Sequence, residues 1–248
     1  MMESAKNLAV KMRLNGIYHS MDRRIDEAIS KNLSHGEFLS LLLEDESMAR
    51  KNLHAKSLTR KARFRSQCDL ENWDQNRPRG LTKAKLKELA TGSFIQRKES
   101  LIICGPTGVG KTHLAIALGR ILCQSEITVS FWSINLLLEQ IHAEKVAGKY
   151  LAAIKRISKP DVMILDDFGL RNYTHDEAIA LLEILEERYT KRIIIITSQI
   201  EPEGWKSLFE DSVISDSIVD RILGPSDKVT LKGESFRKNK NNLTPITI

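Results

Sequence analysis

The sequence predicts an α/β fold in which helices flank a parallel sheet, with a small all-α domain ahead of it. Three observations carry this. Short, continuously apolar runs at 101–104, 129–132, 162–165 and 193–197 alternate with helical stretches, as strands buried on both faces do. A glycine-rich segment follows the first run and opens a helix. Residues 4–65, by contrast, read as helix with one break.

Within that N-terminal stretch Leu8, Met12, Leu14, Ile17 and Met21 keep approximate helical spacing, continued by Ile25, Ala28 and Ile29. Ser34-His35-Gly36-Glu37 predicts a break and a fresh helix cap before Phe38. Residues 72–80, containing Arg77-Pro78-Arg79-Gly80, form a turn-rich linker, and 83–90 a short helix. Helices are expected at 112–124, around Leu136 to Ile141, at 175–189, around 205–209 and at 212–223, with a last strand near 228–231. From about Lys238 the chain reads as a frayed tail. The expected organisation is a helical domain for DNA or a partner (1–70), a linker with a short helix (71–98), a nucleotide domain (99–238) and a tail (239–248).

At 248 residues the chain can hold one sizeable core and a smaller accessory region. No apolar run approaches the roughly 20 residues a membrane helix needs, and no apolar signal core opens the chain, so a cytosolic protein without membrane contact is expected. Cys68, Cys104 and Cys123 lack both disulfide and metal-ligand spacing and read as buried free thiols. The net charge of +6 is unevenly spread. Residues 1–98 carry 20 Lys and Arg against 12 Asp and Glu, 99–227 carry 13 against 19, and 228–248 carry 5 against 1. Basic ends around an acidic centre suggest a polyanionic partner, most simply nucleic acid.

The chemistry sits in Gly105-Pro106-Thr107-Gly108-Val109-Gly110-Lys111-Thr112, a full match to the phosphate-binding loop of ATPases that use Mg²⁺. The glycines let the backbone curl so that successive N–H groups face phosphate oxygens, and the following helix adds the positive end of its dipole. Lys111 supplies a charge to the β- and γ-phosphates, and the Thr112 hydroxyl is a ligand for Mg²⁺. His113 packs beside the loop. Asp166 and Asp167 end a buried strand at the carboxyl edge, where open parallel sheets hold their ligands. Asp166 is expected to orient Mg²⁺, directly or through water, and Asp167 to position and polarise the attacking water. After the next strand, either Ser198 or Gln199 could reach the γ-phosphate or that water.

The loop with the following His113-Leu114-Ala115-Ile116-Ala117-Leu118-Gly119 resembles that of the DnaC/IstB-like AAA+ ATPases. So do Leu165-Asp166-Asp167-Phe168-Gly169-Leu170, Ile196-Thr197-Ser198-Gln199, Ser217-Ile218-Val219-Asp220-Arg221-Ile222 and Leu231-Lys232-Gly233-Glu234-Ser235-Phe236-Arg237-Lys238. The closing Lys-Gly-Glu-Ser run, with Arg77-Pro78-Arg79-Gly80-Leu81 upstream, is similar to IstB-like transposition helpers of bacterial insertion sequences, over residues 8–238. The resemblance implies an AAA+ ATPase that assembles on double-stranded DNA into ring-like or spiral, ATP-dependent oligomers and works with a transposase encoded by the same element. It implies an arginine finger at Arg221, reaching a neighbour's γ-phosphate, and a second sensor at Arg237. Many such relatives carry Glu where Asp167 stands, and the shorter acid suits slow turnover.

Between Glu46 and Asp69 no acid occurs, while Arg50, Lys51, Lys56, Arg60, Lys61, Arg63 and Arg65 all fall there. They cannot share one helical stripe, so the choice is between a solvated helix and contact with a phosphate backbone. The absence of acids favours sequence-independent DNA binding. Two other functions compete: a DnaC- or DnaI-type replicative helicase loader, and a small-molecule kinase, which would need an acceptor site.

Overall fold

The computed structural model describes residues 2–74 and 79–235 and divides into two compact units, one reaching to Leu58 and one starting at Thr59. The first is helical: α1 (Met2–Lys11), α2 (Asn15–Lys31) and most of α3 (His35–Ala62). One break was not expected. The chain turns at Arg13, whose φ is 57°, and the Leu14 N–H bonds back to Ala9 O at 2.8 Å, closing α1 with a left-handed cap. Leu8 and Met12 are exposed, so their helical spacing marked no core face. The expected cap at Ser34 forms as a reciprocal pair, Ser34 N–H to Glu37 Oε2 (2.8 Å) and Glu37 N–H to Ser34 Oγ (3.3 Å). Buried Glu46 accepts from the N–H groups of Gly16 and Ile17, satisfying the start of α2.

The second unit is built on five parallel strands in the order β2-β3-β4-β1-β5: β1 (Ser100–Cys104), β2 (Val129–Ser133), β3 (Val162–Phe168), β4 (Ile193–Ser198) and β5 (Ser226–Thr230). Short helices α4 (Lys83–Ala90) and α5 (Ser93–Gln96) precede it. Side chains alternate along each strand. Ile102, Cys104, Met163, Leu165, Ile194 and Ile196 join one apolar cluster with α7 (Ile134–Val146), α8 (Tyr150–Ser158), α9 (His175–Arg188) and α10 (Ser212–Leu223). The intervening Leu101, Ile103, Ile164 and Ile195 are also fully buried, and α6 (Lys111–Gln124) packs along β1 to β4. Both faces are covered, as the unbroken apolar strands require.

Helix α8 was not foreseen, although Ala153, Ile154 and Ile157 bury one face of it. The start of the sheet is held by Arg188, which is 1% exposed. Its guanidinium donates to Ser158 O, Pro160 O, Asp161 O and Ile193 O, tying α8 to the first residues of β3 and β4. The three cysteines are free and buried, as expected. Among the described residues no helix is long and apolar enough to cross a membrane.

Candidate nucleotide site

β1 lies between β4 and β5, so the loop after it opens at the carboxyl edge with a strand on each side. The Gly105 N–H bonds Ser198 O (3.2 Å), and the Leu231 N–H bonds Cys104 O (2.8 Å). Gly105 has φ 145°, and a Cβ there would lie 2.2 Å from Leu231 O, so no other residue fits. Gly110, with φ 104°, caps the start of α6. The Lys111 ammonium is buried and folded back on the loop, donating to Gly105 O (2.7 Å) and Pro106 O (2.8 Å). Val109 is buried beneath the loop, while Pro106 and Thr107 line its outer turn.

The acids are held by a small network. Thr112 Oγ1 donates to Asp166 Oδ1 (2.8 Å), and so does Thr197 Oγ1 (2.6 Å). Thr197 Oγ1 also accepts the Asp167 N–H (3.0 Å), where β3 changes register and Asp167 takes φ 62°. That kink turns the Asp167 carboxylate out of the sheet, away from fully buried Asp166. Burial raises the Asp166 carboxyl above its ordinary range, and its two hydroxyl donors oppose that. Asp166 Oδ2 is buried without a hydrogen-bond donor. The hard oxygens of Thr112 and Asp166 fit a small divalent cation completed by phosphate oxygens. Among the described residues no group of three or more His, Cys, Asp or Glu is placed to hold a metal ion.

A cavity of about 800 Å³ opens over the loop. Thr107, Gly108, Gly110, Lys111, Thr112, His113, Asp167 and Gln199 line it, all of them predicted from sequence. The structure adds Asn72, Trp73, Asp74, Arg79 and Leu170. Arg79 stacks over the Trp73 ring at 4.1 Å, and Trp73 tilts against His113, whose Nε2 lies 3.1 Å from Asp69 O. The only sequence sign of this wall was an aromatic beside a basic turn in the linker.

Several site residues fall elsewhere than predicted. Ser198 and Gln199, adjacent in sequence, separate: Gln199 Oε1 accepts from Thr107 Oγ1 (2.7 Å) on the cavity wall. Ser198 turns into the core, donating to Phe168 O (2.9 Å) and accepting from Ile200 N–H and Trp205 Nε1, so it does not reach the phosphate position. Arg65 is not free on the basic stretch. Its Nη2 donates to Thr112 Oγ1 (3.1 Å) and lies 3.1 Å from Asp166 Oδ2, with Nη1 3.5 Å from Asp167 Oδ2. Arg50 is exposed and paired with Glu46 at 2.7 Å, and Lys51, Lys56, Arg60, Lys61 and Arg63 are exposed as well. Arg221 donates to Ser217 O and pairs with Glu186 (2.9 Å), beside Ser100, Ile193 and Ile194 at the amino ends of β1 and β4. It is thus at the opposite sheet edge from its own loop and cannot serve its own site. Arg237 lies outside the described residues.

A family model for IstB-like ATP binding proteins matches residues 7–244. An insertion-sequence ATP-binding protein of Sinorhizobium fredii (strain NBRC 101917 / NGR234) is 34% identical over 229 residues, covering 92% of this chain and 94% of that protein. The ATP-binding protein of insertion sequence IS21 from Pseudomonas aeruginosa is 31% identical over 254 residues, 99% of this chain and 96% of that protein. Among solved structures, AMPPCP-bound DnaA from Aquifex aeolicus superposes with a TM-score of 0.56 at 22% identity, over 68% of this chain and 51% of that one. At that identity the likeness is one of fold.

Proposed function

The chain belongs to the family of IstB-like ATP binding proteins and is an ATPase of that family, and on that premise we propose that it is a DNA-binding helper of transposition. In this reading it assembles on double-stranded DNA with ATP, largely without regard to sequence, and recruits or stimulates the transposase of its insertion sequence. The observation that carries the reading is the course of the acid-free basic stretch, which ends at Arg65 inside the nucleotide cavity. A segment suited to phosphate backbones therefore abuts the groups that handle ATP.

The chain's own groups divide the work. The loop N–H groups and the start of α6 receive the β- and γ-phosphates, and Lys111 leaves Gly105 O and Pro106 O to meet them. The Trp73–Arg79 wall offers an apolar and cationic face to the base. Asp167 orients and polarises the attacking water, with Gln199 on the same wall. Mg²⁺, held by Thr112 and Asp166, would neutralise charge developing on the phosphates. Arg221 completes a neighbouring copy's site, and Arg237 serves as second sensor. Residues 1–70 carry DNA and partner contacts, through Lys51, Lys56, Arg60, Lys61 and Arg63, and the nucleotide domain spans 99–238.

Sizing the full-length protein with ATP, with and without duplex DNA, tests the reading. Assembly and ATP turnover that both rise with duplex DNA, and weaken as salt rises, are expected. A persistent monomer, or turnover indifferent to duplex DNA, would overturn it.

A further inference from the structure

Arg65 occupies a place that its neighbours in the sequence do not. Nη2 lies 3.1 Å from both Thr112 Oγ1 and Asp166 Oδ2, and Nη1 reaches toward Asp167 Oδ2 at 3.5 Å. Asp166 is 0% exposed and its Oδ2 has no hydrogen-bond donor, so a buried negative oxygen here depends on a nearby cation. The residues next to Arg65 hold it in this position. Phe64 packs edge-on to Phe131 and lies against Gly119 of α6, where even a Cβ would come within 2.9 Å of the Phe64 ring. The Arg65 guanidinium itself lies 6.0 Å from the Phe131 ring centroid.

We propose that Arg65 is the counter-cation of Thr112 and Asp166, and that it must withdraw from them when ATP binds with a divalent metal. The proposal rests on the reading that Thr112 and Asp166 hold that metal. The reason is stereochemical and electrostatic. Mg²⁺ binds oxygens at about 2.0–2.1 Å in a near-octahedral shell, and a guanidinium on the same two oxygens leaves neither the lone pairs nor the room. Two positive groups also repel across such a distance in a partly buried cavity. Arg65 and the metal therefore compete for one set of ligands. Withdrawal of Arg65 changes how residues 63–66 lie on the ATPase core, which ties nucleotide state to the end of the basic stretch.

The test is equilibrium binding of a fluorescent ATP analogue to the full-length protein, in excess Mg²⁺ and in EDTA. Competition predicts that Arg65→Ala and Arg65→Gln bind the analogue about three- to tenfold tighter than wild type in Mg²⁺. In EDTA, where Arg65 need not withdraw, neither variant binds tighter than wild type. Equal or weaker binding of both variants in Mg²⁺ would overturn the proposal and make Arg65 inert or a phosphate ligand. Asp166→Asn keeps the two readings apart. If it abolishes the advantage that Mg²⁺ gives wild type, the metal reading stands whatever Arg65 does. If the advantage survives in Asp166→Asn, the metal reading has failed, and this proposal with it.

Discussion

Thr197 donates its hydroxyl to Asp166 Oδ1 across 2.6 Å, so β4 sets the position of the acid carried by β3. Thr197 Oγ1 also accepts the Asp167 N–H, and one side chain thereby orients both acids. Thr197→Val keeps the shape and removes both bonds. A hydrogen bond to a charged group is worth about 1.5–3 kcal/mol, so urea titration should show a loss of about 2 kcal/mol. ATP turnover should fall with it, and Thr197→Ser, which keeps the hydroxyl, should recover most of that turnover. Full turnover in Thr197→Val would remove the positioning role.

Asp167 has the exposure and the outward turn of a water-orienting base, and its carboxylate lies on the cavity wall. Asp167→Asn keeps the size and loses the charge. Turnover should fall by about 10²-fold or more, with binding of the ATP analogue little changed. An Asn variant as active as wild type would assign the water to another group.

Arg221 pairs with Glu186 in its own chain, and a purely structural role predicts that breaking the pair from either side has the same effect. Action on a neighbour's phosphate predicts asymmetry. Arg221→Ala should bind ATP normally and lose about 10³-fold in hydrolysis, while Glu186→Ala keeps hydrolysis. Mixing Arg221→Ala with a Lys111→Ala protein should restore part of the turnover, since each supplies what the other lacks. Equal, small effects of the two alanine variants would return Arg221 to a surface ion pair.

Glu177 accepts from Arg171 at 2.6 and 2.9 Å and closes the capping box of α9 with Thr174, and these bonds hold its carboxyl down at about 2. A carboxyl depressed in the folded state stabilises above its unfolded value near 4.5 and loses that contribution as pH falls toward 2. With Arg171 42% exposed, solvent trims the gain to about 1–2 kcal/mol. Glu177→Gln should lower stability at neutral pH by that amount and flatten the acid limb between these values, as read by thermal melts across pH. An acid limb unchanged by the substitution would contradict the assignment.

The loop, its strand and helix, and the two acids were legible because each is local: glycine spacing, an apolar run and an acid pair lie within a few residues of one another. The strand carrying Thr197-Ser198-Gln199 was legible as a neighbour of the acid strand, but the roles along it were not. At a strand end a hydroxyl and an amide one residue apart face opposite sides, and only the register with β3 decides which side is the cavity. Arg65 was read as one more charge in a basic run because nothing local distinguishes it. It is 47 residues from Thr112 and 102 from Asp167 in the chain, and its direction is set by Phe64 seating against α6. The Trp73–Arg79 wall was hidden likewise, since its packing comes from Lys232 N–H bonding Arg79 O beyond β5. The break at Arg13 was missed for a different reason. Leu8 and Met12 kept helical spacing on a surface that is exposed, and apolar spacing alone cannot tell such a face from a core face.

The sheet gives the second unit two unlike ends, the cavity at the carboxyl edge and Arg221 at the amino edge. A contact that carried Arg221 of one copy to the cavity of the next would join unlike surfaces, and where the return contact is not made within the same pair the arrangement is head-to-tail. Each added copy would present a fresh cavity or a fresh arginine, and growth would have a head and a tail. An assembly of that kind has a terminal site lacking its arginine unless it closes on itself, which gives it a direction along any linear partner it follows.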